Sequence, residues 1–320
     1  MARDHGGNLD AAQARFGTGD WIDLSTGINR RPWPVQPLSD TAFRALPMAR
    51  AERALIRVAA EWFGCADDHV LPMAGATAAI QLLPRLRPAG HAAVLTPSYN
   101  EHAASLTAAG WRVTPAPDLD RLDGADLAVV VNPNNPDGRE WSPLVLAALA
   151  RRVGLLIVDE SFADARPDLS LARSLPANAV VLRSFGKFWG LAGLRLGFAL
   201  AAPDLLSQLR EAAGPWSVSG PALEIATAAM ADRAWADDTV TYHAEAALNL
   251  DRLAARAGWR PLGGTHLFRL YDTPDAQVAQ DTLARAHIWT RRFPYSDRWL
   301  RLGIPGSRDE FAHVGQALTR

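Results

Sequence analysis

One lysine in a chain that is very poor in lysine is the first candidate for chemistry. Lys187 follows the apolar run 179–182 and lies in the glycine-rich segment 183–197, RSFGKFWGLAGLRLG. An amine that attacks a carbonyl group needs a cationic or desolvated surrounding that lowers its pKa, unlike a lysine on a charged helix face. Arg195 provides a nearby cation and can bind a phosphate through two donors. The segment therefore predicts a reactive amine beside an anion site, with a solvated turn lysine as the alternative.

A carboxylate ends another apolar run. Residues 155–158 predict a strand, and Asp159 follows them directly. A carboxylate at the end of a buried strand is costly unless a cation pairs with it. We therefore expect Asp159 to face a cationic group.

Three turns next to predicted elements carry small or polar residues. The turn 75–77 precedes a helical run, where free backbone N–H groups, a hydroxyl group and the helix dipole favour an anion. Tyr99 follows the predicted strand 92–96, and Asn135 follows the predicted strand 127–131. Such positions are candidates for one site, because ligands bind beyond the carboxyl ends of parallel strands. An ordinary helix start and a packing tyrosine are the alternatives for 75–77 and Tyr99.

The apolar periodicity predicts an α/β fold. Apolar residues at 55, 58, 59, 62 and 63 form one helical face that Gly64 ends, and strand-like runs alternate with helical stretches at 92–96, 127–131, 155–158, 180–182 and 196–200. This alternation predicts a mostly parallel sheet covered by helices. Beyond residue 216, a long amphipathic helix and strand-like runs at 267–270 and 300–304 predict a smaller α+β domain.

Composition narrows the class of protein. The chain has 320 residues, of which 48% are hydrophobic and 21% charged, and its net charge is −1. Such a balance gives no broad basic field for nucleic acid or a membrane surface. Cys65 is the only cysteine, which excludes an internal disulfide and a cysteine-based metal site. The start of the sequence shows no apolar leader, and we expect a cytoplasmic enzyme of small-molecule chemistry that uses no metal.

Five segments together resemble a known family. Ser184 and Lys187, followed by the spacing Gly-x-Arg-x-Gly at 193–197, resemble the cofactor-lysine segment of the fold type I pyridoxal 5'-phosphate enzymes, and 132–138 (NPNNPDG) resembles the Asn-Pro loop of that family. The turns at 75–77 and Tyr99 and the strand ending at Asp159 occur in the family order. The resemblance implies an aspartate-aminotransferase-like fold, with a large domain built on a mostly parallel sheet and a smaller α+β domain.

The same resemblance implies roles for individual residues. Lys187 would carry pyridoxal phosphate covalently, and Asp159 would keep its pyridine nitrogen protonated. Tyr99 would stack on the ring, and Asn135 would donate a hydrogen bond to its phenolic oxygen. The full set of cofactor positions is Gly75, Ala76, Thr77, Tyr99, Asn135, Asp159, Phe162, Ser184, Lys187 and Arg195.

Several segments resemble one group of this family, the threonine-phosphate decarboxylases of cobalamin biosynthesis. They are the opening His5-Gly6-Gly7-Asn8, the stretch 22–29 (IDLSTGIN), Phe162 where most aminotransferases have a tyrosine, and 215–219 (PWSVS). The resemblance implies decarboxylation of L-threonine O-3-phosphate to (R)-1-amino-2-propanol O-2-phosphate. A substrate of that kind needs a carboxylate site and a second anion site, for which the candidates are His5, Asn29, Arg291 and Arg301.

Two other functions stay open on the sequence alone. An aminotransferase acting on histidinol phosphate or a related amino acid would use the same residues and differ only in the bond broken. A non-catalytic ligand-binding protein of the same fold would be expected to lose Lys187 or Asp159. One departure from the family is Leu46, which stands where many members have a tyrosine that contacts the cofactor phosphate across a dimer.

The resemblance also implies a domain organisation and an oligomeric state. Residues 1–40 would pack with the small domain, 41–215 would form the large cofactor-binding domain, and 216–320 would form the small domain. A homodimer is expected because fold type I sites are built at a subunit boundary. Apolar surface for that contact is predicted at 33–35 (WPV) and at Trp216.

Overall fold

The computed structural model describes residues 5–319. Its strands are, in chain order, β1 (Ile22–Asp23), β2 (Val70–Met73), β3 (His91–Leu95), β4 (Arg112–Ala116), β5 (Leu127–Val131), β6 (Leu156–Asp159), β7 (Ala179–Ser184), β8 (Gly197–Ala201), β9 (Arg260–Gly264), β10 (Phe268–Asp272), β11 (Ile288–Trp289), β12 (Arg291–Phe293) and β13 (Ser296–Gly303). Its helices are α1 (Leu9–Phe16), α2 (Asp40–Arg44), α3 (Ala49–Phe63), α4 (Ala76–Leu82), α5 (Glu101–Ala108), α6 (Pro143–Ala150), α7 (Phe185–Phe188), α8 (Pro203–Ala213), α9 (Gly220–Ala231), α10 (Arg233–Arg256), α11 (Ala276–Arg285) and α12 (Arg308–Leu318).

The larger of two compact units contains Trp33–Asn135 and Glu140–Arg233. Its seven-stranded sheet has the order β2-β8-β7-β6-β5-β3-β4, in which β8 runs antiparallel to both of its neighbours and the other strands run in one direction. Every residue of β5 and β6 is buried, as expected for parallel strands covered on both faces. The prediction of a mostly parallel sheet is confirmed.

The strand order of this sheet reverses next to β3. The chain goes from β3 outward to the edge strand β4 and then returns to β5 on the other side of β3. A reversal of this kind opens a crevice beyond the carboxyl ends of the strands, where ligands of α/β proteins bind. The loops that follow β3 and β5 therefore flank the expected ligand position.

The smaller unit contains the described residues of Met1–Pro32 and Ala234–Arg320, together with Pro136–Arg139. Its four-stranded antiparallel sheet has the order β12-β13-β10-β9, and β1 pairs in parallel with β11. Its core is built from buried apolar side chains of the strands, α10, α11 and α12, including Leu24, Leu250, Tyr271, Leu283 and Leu300. The predicted α+β character of this region is confirmed.

The end of α3 and the long helix α10 lie where the sequence predicts them. Gly64 ends α3 in the left-handed region at φ 72°, where glycine is favoured, and α10 covers the predicted long amphipathic helix. The larger unit continues past residue 215 because α9 packs against α3, and it ends at Arg233. The domain limits at 40 and 215 stay a prediction. Among the helices of residues 5–319, none is both long and apolar enough to span a membrane.

Candidate active site

Asp159 ends β6, and a histidine that the sequence analysis missed is bound to it. The Nε2 atom of His102, near the start of α5, donates to Oδ2 of Asp159 at 2.8 Å. Ser161 donates to Oδ1 through its backbone N–H at 3.0 Å and its hydroxyl at 2.5 Å. The side chains of His102 and Asp159 are both almost completely buried.

These contacts determine the charge state of the carboxyl group. Burial alone raises the pKa of Asp159, but the hydrogen bond and charge of His102, with the two Ser161 donors, outweigh burial and lower the pKa below its usual value. The carboxylate is therefore held ionised. An ionised carboxylate has about four acceptor positions, and the three hydrogen bonds leave room for one further donor.

Lys187 lies in the short helix α7, directly after β7. Gly186 comes so close to the backbone of Ala192 that a Cβ atom would lie 2.6 Å from its Cα atom, so only glycine allows this turn. The Nζ atom of Lys187 lies 5.7 Å from the ring centroid of Phe162. Because Asp159 is paired with Leu182 in register, the carboxylate and Lys187 follow neighbouring parallel strands at the same edge of the sheet. Lys187 is also the only lysine of the chain.

The turn 75–77, which is predicted to bind an anion, follows the end of β2, where Met73 is paired with Gly197 at the start of β8. Gly75 has φ 83° and caps α4, whose first two residues are Ala76 and Thr77. A Cβ atom at Gly75 would lie 3.1 Å from Nη2 of Arg195, which places that guanidinium beside the helix start. A side chain at Gly197 would collide with the backbone of Ala76, which explains the second glycine of the Gly-x-Arg-x-Gly spacing.

The loops after β3 and β5 are tied together. The side-chain amide of Asn134 donates to the carbonyl oxygen of Pro97 at 2.9 Å. The backbone N–H of Asn132 donates to the carbonyl of Asp159 at 2.8 Å, so the Asn-Pro loop starts beside that carboxylate. Asn135 and Tyr99 are half-buried in these loops, and the Tyr99 ring packs edge-on against His102 with centroids 6.1 Å apart.

A buried ion cluster, also missed from the sequence, lies next to Asp159. We call Arg183, Glu160 and Asp164 the Arg183 cluster: Nη1 donates to Glu160 at 2.9 Å and Nη2 to Asp164 at 2.8 Å. Glu160 accepts two further hydrogen bonds, from the Ser170 hydroxyl at 2.6 Å and the Leu171 backbone N–H at 2.8 Å. Burial raises the pKa of Glu160 in spite of these donors.

In the smaller unit, two of the four substrate candidates are partners across a strand pair. Arg291 of β12 lies opposite Arg301 of β13. Arg301 is buried, and its Nη2 donates to the carbonyl oxygen of Ser25 at 2.7 Å. Burial, followed by the positive charge of Arg291, lowers the pKa of Arg301 below its usual range. Two neighbouring guanidinium groups of this kind are suited to an anionic ligand.

Residues 6 and 7 of the opening segment contact Ser25, whose carbonyl oxygen accepts the hydrogen bond from Arg301. The backbone N–H of Gly7 donates to the Ser25 hydroxyl at 2.7 Å, and a side chain at Gly6 would collide with the Ser25 carbonyl. The Ser25 hydroxyl in turn donates to Asp23 at 2.6 Å. Ser25 therefore contacts both the His-Gly-Gly opening and Arg301. The imidazole of His5 itself is exposed.

Asn29 is buried and held by a histidine. Its Oδ1 atom accepts from the backbone N–H of Arg31 at 2.8 Å and from Nε2 of His243 at 2.7 Å. Burial, with the charges of His266 and Arg31, lowers the pKa of His243 to about 4. The imidazole is therefore neutral near neutral pH, and its Nε2–H is fixed as the donor to Asn29.

The predicted residues thus fall into two sets, each within one unit. The cofactor set of the sequence analysis lies in the larger unit, on the turns and strand ends just described: Gly75, Ala76, Thr77, Tyr99, Asn135, Asp159, Phe162, Ser184, Lys187 and Arg195. The substrate set, His5, Asn29, Arg291 and Arg301, lies in the smaller unit. The roles of both sets stay predictions. One signal for His102 existed in the sequence, since it follows Tyr99 by three positions at the start of a helix.

Comparison with known proteins gives a consistent result. The family model "Aminotransferase class I and II" matches residues 38–318. A threonine-phosphate decarboxylase from Sinorhizobium sp is 42% identical over 99% of this chain and 97% of its own length. A histidinol-phosphate aminotransferase from Mycobacterium bovis is 37% identical over 73% of this chain and 67% of its own length.

A solved structure agrees in fold. The histidinol-phosphate aminotransferase from Sinorhizobium meliloti, in complex with pyridoxal-5'-phosphate, has a TM-score of 0.81 and 23% identity, and the match covers 97% of this chain and 92% of that one. An aspartate aminotransferase from Thermus thermophilus has a TM-score of 0.77. The aspartate-aminotransferase-like fold is confirmed, and the chain belongs to the aminotransferase class I and II family.

Proposed function

We propose that this protein is a pyridoxal-phosphate-dependent decarboxylase that converts L-threonine O-3-phosphate to (R)-1-amino-2-propanol O-2-phosphate, a step of cobalamin biosynthesis. The observation that carries the proposal is the match to a threonine-phosphate decarboxylase at 42% identity over 99% of the chain. The paired Arg291 and Arg301 support it, because a substrate with a carboxylate and a phosphate brings two anionic groups.

The residues present fit pyridoxal phosphate. Asp159 is a buried, ionised carboxylate with one acceptor position left, which suits the protonated nitrogen of a pyridine ring. Gly75 and Arg195 would hold the phosphate, and Lys187 would hold the cofactor covalently. When bound, pyridoxal phosphate withdraws electrons from the α-carbon of an amino acid. Asn135 would donate to the phenolic oxygen, and Tyr99 would stack on the ring.

The chain's own residues would then act on the substrate as follows. Arg301 would bind the α-carboxylate as a bidentate partner, and Arg291, with Asn29 and His5, would bind the phosphate. The amine of Lys187 would hold the proton that is delivered to the α-carbon after CO2 leaves. His102 keeps Asp159 ionised throughout, since the two side chains are joined at 2.8 Å. Phe162 has no hydroxyl group to donate, and its ring centroid lies 5.7 Å from Nζ of Lys187.

The test is an assay with two substrates. Purified protein with pyridoxal phosphate receives threonine phosphate in one reaction, and histidinol phosphate with 2-oxoglutarate in the other. CO2 release from threonine phosphate without any keto acid is the expected result. Glutamate formation without CO2 would refute the decarboxylase and establish the aminotransferase, which the 37% identical histidinol-phosphate aminotransferase keeps as the second candidate. A protein that takes up no pyridoxal phosphate would be the non-catalytic alternative.

We also propose a cytoplasmic homodimer. The dimer is supported by apolar side chains exposed in the larger unit: Val35, Phe43, Leu46, Met48 and Trp216. Trp33 was also predicted to be part of this apolar surface. That prediction is wrong, because the Trp33 ring is buried and its Nε1 donates to Asp232 at 3.1 Å. Sedimentation should give a dimer, and Trp216→Glu should shift it toward monomer. A fully active wild-type monomer would contradict the proposal.

A further inference from the structure

The Arg183 cluster joins the carboxyl-terminal part of β7 to the segment that follows the neighbouring strand β6. Arg183 is on β7, four positions before Lys187, whereas Glu160 and Asp164 lie on the segment that follows Asp159 at the end of β6. One guanidinium therefore bonds two carboxylates from the same loop, at 2.9 and 2.8 Å. A planar fork with five N–H donors can do this, and a lysine amine cannot reproduce its geometry.

The two carboxylates lie on either side of Phe162 in the sequence. Glu160 precedes that ring by two positions and Asp164 follows it by two. Arg183 thus holds both ends of the short loop that presents the ring, and the ring centroid lies 5.7 Å from Nζ of Lys187.

The cluster also holds the other side of the lysine turn. Oδ1 of Asp164 accepts a second hydrogen bond, from Nε1 of Trp62 at 3.0 Å. The Trp62 ring packs on Trp189, with centroids 5.3 Å apart, and on Phe188 at 6.2 Å. Both of these aromatic residues directly follow Lys187 in the chain. The cluster is therefore connected to Lys187 from both sides in the chain, through β7 before it and through the packing of Trp62 on Phe188 and Trp189 after it.

We propose that Arg183 is a positioning residue, which fixes Lys187 and Phe162 relative to each other through Glu160 and Asp164. The proposal rests on the proposed function, since it concerns the amine that would carry pyridoxal phosphate. Burying one cation and two carboxylates is costly, and apolar side chains of similar volume often give equal or greater stability. Stability alone therefore does not account for a cluster of three buried charges at this place, whereas geometric control of a reactive amine does.

The chain provides a matched control. Arg166, in the same stretch of sequence, also bridges two carboxylates, Glu140 at 2.8 Å and Asp168 at 2.8 Å. Its side chain is 37% exposed, whereas that of Arg183 is only 4% exposed. The variant Arg166→Lys alters the same kind of ion pair without touching the lysine turn.

The test compares Arg183→Lys and Asp164→Asn with Arg166→Lys in the full chain. Cofactor-free protein is mixed with pyridoxal phosphate, and the rate at which visible absorbance appears is followed. Borohydride reduction and peptide mass then locate the label, which is expected on Lys187, the only lysine of the wild-type sequence, and not on the lysine that Arg183→Lys or Arg166→Lys introduces. Thermal unfolding of the cofactor-free proteins measures stability separately, and CO2 release from threonine phosphate measures kcat and KM.

We expect Arg183→Lys to slow uptake and lower kcat by about 10- to 100-fold, the order of loss that a misplacement of roughly 1 Å causes. KM for threonine phosphate should stay close to the wild-type value, because Arg183 is not among the residues proposed to bind the substrate. Asp164→Asn should show a smaller loss in uptake rate and kcat, because it weakens the contact of Arg183 with residue 164 and leaves the contact with Glu160 intact. Arg166→Lys should change uptake less than about twofold, as exposed ion pairs contribute little.

The outcomes separate this inference from the proposed function. A folded Arg183→Lys protein with wild-type uptake and kcat would overturn the positioning role and leave the decarboxylase proposal intact. If Arg183→Lys does not fold, Asp164→Asn decides, and wild-type uptake in that variant overturns the inference. A wild-type protein that takes up cofactor but releases no CO2 refutes the substrate alone. A wild-type protein that takes up no cofactor overturns both.

Discussion

The two units treat buried charge in different ways. In the larger unit, Asp159 is buried with opposite or donating partners, His102 and Ser161, so its ionised form is already stabilised by the protein. In the smaller unit, the largest charge effect on buried Arg301 comes from a second cation, Arg291. In the larger unit the protein itself supplies partners for the buried carboxylate, whereas the charge with the largest effect on buried Arg301 has the same sign, a surrounding suited to an anionic ligand.

This difference predicts which kinetic quantity each unit controls. Changes in the larger unit should lower the rate of the chemical step, because under the proposed function its charges would act on the cofactor. Changes at the arginine pair should weaken substrate binding, because under the proposed function its charges would bind the anionic groups of the substrate. A variant of either unit with the opposite signature would break the comparison.

The largest expected effect is that of Lys187→Ala. No other lysine exists in the chain, so nothing replaces the amine. CO2 release should fall roughly ten-thousand-fold, at the upper end of what proton transfer by a positioned side chain supplies. Borohydride reduction should then leave no label on the protein. A variant that keeps a tenth of the wild-type rate would remove Lys187 from the chemistry.

Asp159→Asn should have the next largest effect. The amide keeps the size of the side chain but loses the charge that His102 stabilises, so the cofactor nitrogen would no longer be held protonated. We expect kcat to fall about 100-fold or more while the cofactor stays attached to Lys187. Asp123→Asn, at a surface ion pair with Arg152, serves as the control. Near wild-type turnover in Asp159→Asn would contradict the assigned role.

Much of the fold could be predicted from the sequence because its signals are local. The buried runs of β5 and β6, the glycine at the end of α3 and the glycine-rich lysine turn each depend on a few neighbouring residues. The strands β2 and β4 were missed, since each is short and contains a proline, Pro72 or Pro115. Proline removes a backbone donor, and β4 is an edge strand where that loss is tolerated.

The partners of the site residues could not be predicted because they are distant in the chain. His102 and Asp159 are 57 positions apart, and His243 and Asn29 are 214 apart. Such pairs depend on how strands and helices are arranged in space, which local periodicity does not specify. The two-carboxylate contact of Arg183 has the same origin. Trp33 shows the converse error, as an aromatic residue in a proline-rich stretch was taken for surface and is buried.

As the pH falls, we expect the smaller unit to lose stability at a higher pH than the larger unit. His243 has a pKa of about 4 in the folded chain and an ordinary pKa of 6.5 in the unfolded chain. Between pH 4 and pH 6.5 its imidazole is therefore mostly protonated in the unfolded chain and mostly neutral in the folded chain. Its contribution to stability is present above pH 6.5 and is lost as the pH falls toward 4, up to roughly 3 kcal/mol. The lowered pKa of Asp159 places the loss from that carboxylate below pH 3.8.

His243→Gln tests this difference. Glutamine can still donate to Oδ1 of Asn29 but does not titrate, so the unfolding free energy of the variant should depend less on pH between 6.5 and 4. Denaturant unfolding of both proteins over this range measures the effect. Parallel curves for wild type and variant would show that His243 is not the acid-sensitive group and would remove this contrast between the units.

The smallest expected effect, and the sharpest for the smaller unit, compares Arg291→Ala with Arg292→Ala. Arg291 lies opposite Arg301, whereas Arg292 lies opposite Leu300 and donates to Gln280 at 2.8 Å, so adjacent arginines on one strand face opposite sides of the sheet. Losing a charge-assisted contact to phosphate should cost about 1.5–3 kcal/mol, which is a rise in KM for threonine phosphate of about 10- to 100-fold with kcat little changed. Arg292→Ala should leave KM near the wild-type value, and unphosphorylated threonine should respond to neither change. A fall in kcat with unchanged KM in Arg291→Ala would mean that the arginine pair acts on the chemical step, and the proposed division between the units would be wrong.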